Sequence, residues 1–192
     1  MPELAPAGAG IPSIERWIGG MMFGLKRWRG TPQKFNTEFA KERGMIQRLY
    51  QGKSDEELSR RVLIPRLRGL EDSSRYWSVW MTLDHLRIVN LEIARVIGDL
   101  LSERMPAGVA STATVKPSPA VGADVVAGYE GSCDDLMKLV STGGTMRTSM
   151  KYAHPWFGPL DAAGWHAMSA MHMGIHRAQV ERILRMQSSG RT

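Results

Sequence analysis

Cysteine is almost missing from this chain of 192 residues: Cys133 stands alone, so no intrachain disulfide can form. A lone thiol fits a reducing compartment. Cys133 is expected to be a small semi-buried residue, since no neighbouring base marks it as a nucleophile. Long apolar runs are missing too. No stretch approaches the roughly 18–20 consecutive apolar residues that a membrane span needs. The opening segment "MPELAPAGAGIPS" has an early acid and lacks the basic-then-apolar order of a signal peptide. Residues 1–13 are therefore expected to form a disordered arm, and the protein to be cytoplasmic. There is no internal repeat and no convincing apolar–polar alternation of the kind that marks strands.

Basic residues, by contrast, are in excess, with a net charge of +6. That charge permits a nucleic-acid partner. The cations are nevertheless scattered, with clusters only at "RRVLIPRLRGL" (60–70) and "LKRWRG" (25–30), and no nucleic-acid motif accompanies either. A solvated basic surface is the expected role, and nucleic-acid binding is not. With 43% apolar and 23% charged residues, the composition is that of an ordinary globular chain. Its length fits one domain, over 14–192.

Helical periodicity dominates what is present. Residues 14–28 alternate apolar and charged groups at helical spacing, with Ser13 as a cap and Gly30-Thr31-Pro32 as a stop. The basic end and aromatic face of this segment would suit a membrane surface, although packing against the main domain is the expected fate. A second pattern from Pro32 sets Phe35, Phe39, Ile46, Leu49 and Tyr50 on one side. Ser54 caps a short turn beyond Gly52. The strongest helix spans 78–105, with Ser78 or a nearby serine as N-cap and Pro106 as its limit. A long loop, 106–124, follows; its length is uncommon unless it is functional or disordered. A third main helix is expected from Ser132 until Gly143-Gly144 interrupts it, and a last one from 162 to about 187, capped by Asp161. The class is all-α: four long helices in a bundle, plus an extra N-terminal one.

At about 100° per residue, Trp165, Met168, Ser169, His172, His176, Gln179 and Ile183 share one face of the last helix. Its apolar members turn that face toward the bundle, so two imidazoles one turn apart sit on a core-facing stripe. On the 78–105 helix, Met81, His85, Val89, Glu92 and Val96 share a face in the same way. Buried imidazoles need partners for both nitrogens, and a divalent cation held by His85, His172 and His176 would accept a lone pair from each. Three histidines leave coordination positions open, the arrangement of a catalytic rather than a structural site. His166 points away from the stripe, and His154 lies in the turn before the helix. The metalloprotease pattern is excluded, because Met173 stands where that pattern needs a glutamate.

These residues carry a resemblance. "WSVWMTLDHLRIV" and "HPWFGPLDAAGWHAMSAMHMGIHRAQVERIL" together resemble the DinB-like (YfiT-like) superfamily of metalloenzymes, in particular an uncharacterised branch with the "H-P-x-F-G-x-L" turn. The resemblance covers about 33–187. It implies an up-down-down-up four-helix bundle with metal ligands at His85, His172 and His176. It also implies Zn²⁺ or Ni²⁺ as the ion and, as in some relatives, a low-molecular-weight thiol in a transferase or isomerase reaction. Ile175 stands where many relatives have a further histidine, the 106–124 loop is longer than the family pattern, and residues 1–30 lie outside it. Asp84, Glu92 and Gln179 are the candidates for proton handling or for orienting ligands. The expected function is a metal-dependent enzyme of thiol-transferase or hydrolase type acting on a small molecule. The alternative is a non-catalytic bundle that binds a partner. An open cavity over the histidines favours the enzyme, and a filled one the scaffold. A homodimer is expected on the family pattern, with no face assigned.

Overall fold

The computed structural model describes residues 3–189. Four helices form the bundle: α2 (Pro32–Tyr50), α4 (Val79–Leu101), α5 (Val125–Thr142) and α6 (Ala162–Ser189). Helix α4 is packed between α5 and α6, and α2 lies along the other side of α6. Two further helices, α1 (Ser13–Arg29) and the one-turn α3 (Asp55–Ser59), lie outside this layer.

Local chemistry fixes where the helices begin. Thr31 Oγ1 accepts from Lys34 N, and Pro32 occupies a first-turn position that needs no N–H. Ser78 Oγ accepts from Met81 N at 3.1 Å, and Asp161 Oδ1 accepts from Gly164 N at 2.8 Å. Helix α4 is apolar on nearly every side, and Leu83, Leu86, Ile97 and Leu100 are fully buried along it.

Some boundaries differ from expectation. Helix α5 begins at Val125, seven residues before Ser132, which lies inside the helix and donates to Tyr129 O at 2.7 Å. Gly128 and Gly131 weaken the helical signal there. Gly128 sits close against α4, since a Cβ on it would come within 2.9 Å of Arg87 Cδ and the arginine side chain would have to shift. Helix α4 stops at Leu101, short of Pro106, where the chain turns through Glu103 at φ 53° and Arg104 N donates to Asp99 O. Two small antiparallel ladders also form. Strand β1 (Val62–Leu63) pairs with β2 (Tyr76–Trp77), and β3 (Tyr152–His154) with β4 (Gly158–Leu160). Strands this short carry no period-2 signal. The β3–β4 hairpin closes through residues 155–157, and Gly158 supplies the positive φ of 68° that such a turn requires.

Residues 3–12 hold no helix or strand, yet their backbone is tied to the body. Ala5 N donates to Asp72 Oδ2 at 2.8 Å and Gly10 N to Glu71 Oε1 at 3.2 Å. The 102–124 connection is irregular and anchored as well: Ser118 N donates to Asp84 Oδ2, and Tyr152 Oη donates to Gly108 O.

Candidate metal centre

His85 on α4 meets His172 and His176 on α6 inside the bundle. One nitrogen from each ring lies within 4.8 Å of the other two, and the Nε2 atoms of His85 and His172 are 3.1 Å apart. Around a tetrahedral Zn²⁺ with bonds of about 2.0–2.1 Å, neighbouring ligand atoms stand roughly 3.4 Å apart, so modest side-chain movement would reach that geometry. His85 and His176 are buried, while His172 is partly exposed.

Two of the three outer nitrogens are held by acceptors, which determines the tautomers of those rings. His85 Nδ1 lies 2.6 Å from Val115 O, and a carbonyl can only accept, so Nδ1 carries the proton and Nε2 the lone pair. Gln179 Nε2 donates to Ser74 O at 2.7 Å, leaving Oε1 to accept from His176 Nδ1, also at 2.7 Å. Two rings thus turn unprotonated nitrogens inward. Trp77 of β2 stacks on His176 and tilts against His85, fixing both planes. His172 Nδ1 is buried without a hydrogen-bond partner among the described residues.

Burial keeps all three rings neutral. The pKa of His85 is pushed down to about 4, mainly by desolvation; the Val115 hydrogen bond opposes the shift and the Lys116 charge adds to it. Those of His172 and His176 fall well below the ordinary imidazole value, through desolvation and the adjacent rings. Neutral imidazole is the form that ligates metal.

A partly open cavity of ≈ 310 Å³ lies over the cluster, walled by Trp156, Phe157, Trp165 and Met168, with His154 and all three triad histidines in its lining. The 102–124 loop closes one side. Its Lys116 ammonium reaches Glu71 Oε2 at 2.8 Å and Ser73 Oγ at 2.9 Å, while Thr112 donates to Glu71 Oε1. Burial would raise the Glu71 carboxyl, but the bonds from Lys116 and Thr112 outweigh it and hold its pKa below the usual range.

The structure brings the three predicted histidines together, and Gln179 with them. Asp84 lies elsewhere: its carboxylate receives Arg87 and Ser118 N and does not line the cavity. Glu92 is exposed at the edge of the cavity, paired with Arg95. His166 does point away, toward Asn36 Oδ1 at 2.9 Å. His154 sits in the hairpin and lines the same cavity, with Nδ1 accepting from Trp156 N. Sequence reasoning passed over Glu71, Trp77, Val115 and Lys116 as parts of the site; the unusual length of the loop was the one signal pointing toward two of them.

No protein-family model matches the sequence, and neither do any of the curated proteins. Among solved structures, the fold is similar to that of TT2238, a four-helix bundle protein. The TM-score is 0.57 over 79% of this chain and 98% of that one, at 19% identity. Likeness at that identity concerns the fold alone. The chain is a four-helix bundle whose described residues include a cluster of three histidines that could hold a metal ion.

Proposed function

We propose that His85, His172 and His176 bind a divalent metal ion, Zn²⁺ or Ni²⁺, as the centre of a DinB-like metal-dependent enzyme acting on a small molecule in the cavity above. One observation carries the reading: two of the three imidazoles are locked by Val115 O and Gln179 Oε1 into the tautomer that presents a lone pair to the common centre. Structural cores seldom pack three neutral histidines together, because the inward lone pairs are left competing for few donors. A cation removes that cost.

The ion would act as a Lewis acid toward a water or thiol entering the cavity, lowering its pKa. The chain's own part is to hold the ligand nitrogens deprotonated and to exclude bulk water with the Trp156–Phe157 turn and the 102–124 loop. Among the described residues, no carboxylate in the cavity lining is both unpaired and near the cluster, which favours a thiol-dependent transfer over a hydrolysis needing a protein general base. A cavity that is open rather than filled supports an enzyme over a scaffold.

The test is the metal content of untagged protein beside the His172→Ala/His176→Ala double variant. Near-stoichiometric Zn or Ni in the parent, lost in a variant that keeps its helical circular dichroism, is the expected result. No metal in the parent, and none taken up when Zn²⁺ and Ni²⁺ are supplied, would overturn the reading.

A further inference from the structure

Helix α1 sits on the body with its polar side inward. Lys26 pairs with Glu38 at 2.6 Å, Arg27 with Asp161 at 2.9 Å, and Glu15 with Arg66 and the Gly69 amide. Phe23 is its one buried apolar side chain, stacked on Phe157. The remaining large apolar residues, Ile14, Trp17, Ile18, Met21, Met22, Leu25 and Trp28, are 42–76% exposed. At 100° per residue all seven fall within an arc of about 140°. Together they offer on the order of 1,000 Å² of apolar surface, against roughly 300–600 Å² for the largest patch of a typical monomer.

We infer that this face of α1 is an in-plane anchor for an anionic lipid bilayer. The charges select that occupant. Helix α1 carries four cations, Arg16, Lys26, Arg27 and Arg29, and a single carboxylate, Glu15; Lys26 and Arg27 are already paired with Glu38 and Asp161, which leaves Arg16 and Arg29 as its uncompensated charges. Glu15 is already neutralised by Arg66. Arg16 and Arg29 are exposed and make no ion pair among the described residues, and Arg29 lies over Trp28, 5.7 Å from its ring centre. On the same wheel Arg29 falls within the arc, so pressing α1 of one copy onto α1 of another would bury that cation in the contact and bring two chains of net charge +6 together. An anionic surface neutralises the cations instead, while the arc enters the acyl boundary and the tryptophans settle at headgroup depth. No helix of the described residues is long and apolar enough to cross the membrane, so the attachment is to one surface. It is also next to the histidine cavity, because Trp156 and Phe157 line both that cavity and the groove beside α1.

The experiment is co-sedimentation of the full chain with phosphatidylcholine vesicles, with and without phosphatidylglycerol, at low and high salt. Two variants accompany it: Trp17→Ser/Met21→Ser/Trp28→Ser, and Arg16→Glu/Arg29→Glu. All five side chains face solvent, so both variants should keep the parental circular dichroism. The chain should bind the phosphatidylglycerol vesicles with a blue shift in tryptophan emission, and salt should weaken that binding. The triple variant should lose at least about tenfold in affinity, and the charge-reversed variant should lose its preference for anionic lipid. The proposal is overturned if the parent stays in the supernatant at low salt, or if the triple variant binds equally well. It is also overturned if sedimentation velocity finds a dimer that the triple variant dissociates and vesicles do not, which would mean that a second copy covers the arc.

Discussion

At the scale of single residues, Gln179 links the cluster to the backbone below it. Its amide oxygen accepts a hydrogen bond from His176 Nδ1–H, its amide nitrogen donates to Ser74 O, and it is fully buried. Gln179→Leu keeps the volume but removes both bonds, so His176 can turn or change tautomer. Metal affinity should fall about 10–100-fold, as measured by competition with a chromogenic chelator, while the far-ultraviolet spectrum stays the same. Cys133 has no such task. It is fully buried on α5 with Asn90 Nδ2 3.4 Å from its sulfur, and burial pushes its thiol pKa up to about 12. A thiolate is the reactive form. A disulfide reagent should therefore leave native protein untouched for hours and titrate one equivalent once the chain is unfolded.

At the scale of elements, Glu71 is one of the anchors of the 102–124 loop, beside Asp84, His85 and Tyr152. Glu71 receives Lys116 and Thr112 from the loop and Gly10 N from the N-terminal arm. Replacing it with alanine leaves the Lys116 ammonium partly buried and unpaired, at a cost of about 2–4 kcal/mol. Urea denaturation should report that loss, and limited proteolysis should cut within 106–124 faster than in the parent. None of this long-range wiring was legible in the sequence. Helix faces were: the i, i+4 spacing of His172 and His176, and the apolar residues around His85, placed three imidazoles on inward stripes. The start of α5 was hidden by Gly128, which the sequence presents as a weak helix former and which the structure sets against the Arg87 side chain. The hairpin that brings His154 and Trp156 to the cavity is three residues a side, too short for any periodic pattern. The apolar and charged residues of α1 were plain, but helical spacing alone does not say which face the body takes.

Across the whole molecule, acid sensitivity follows from buried histidines, and His166 isolates the effect from any bound metal. Burial lowers its pKa to about 4, as it does for His154. In the unfolded chain both titrate near 6.5. Between those values the unfolded chain binds more protons than the folded one, so protonation pulls the equilibrium toward unfolding. The stability that neutral His166 contributes is complete above about pH 6.5. It falls as the pH drops toward 4, and it is exhausted below that. Each such group steepens the decline by at most about 1.4 kcal/mol per pH unit. The measurement is the unfolding free energy of metal-free protein by urea titration at intervals from pH 7.5 to about 4, for the parent and for His166→Gln. The parent curve should be flat at the neutral end and bend downward below about 6.5. The variant can start lower, since it disturbs the contact with Asn36 and the edge of Phe35. Its decline should nevertheless be shallower by about one proton. Parallel curves would mean that His166 titrates normally in the folded protein, and that water reaches it where the packing of α2 on α6 excludes it.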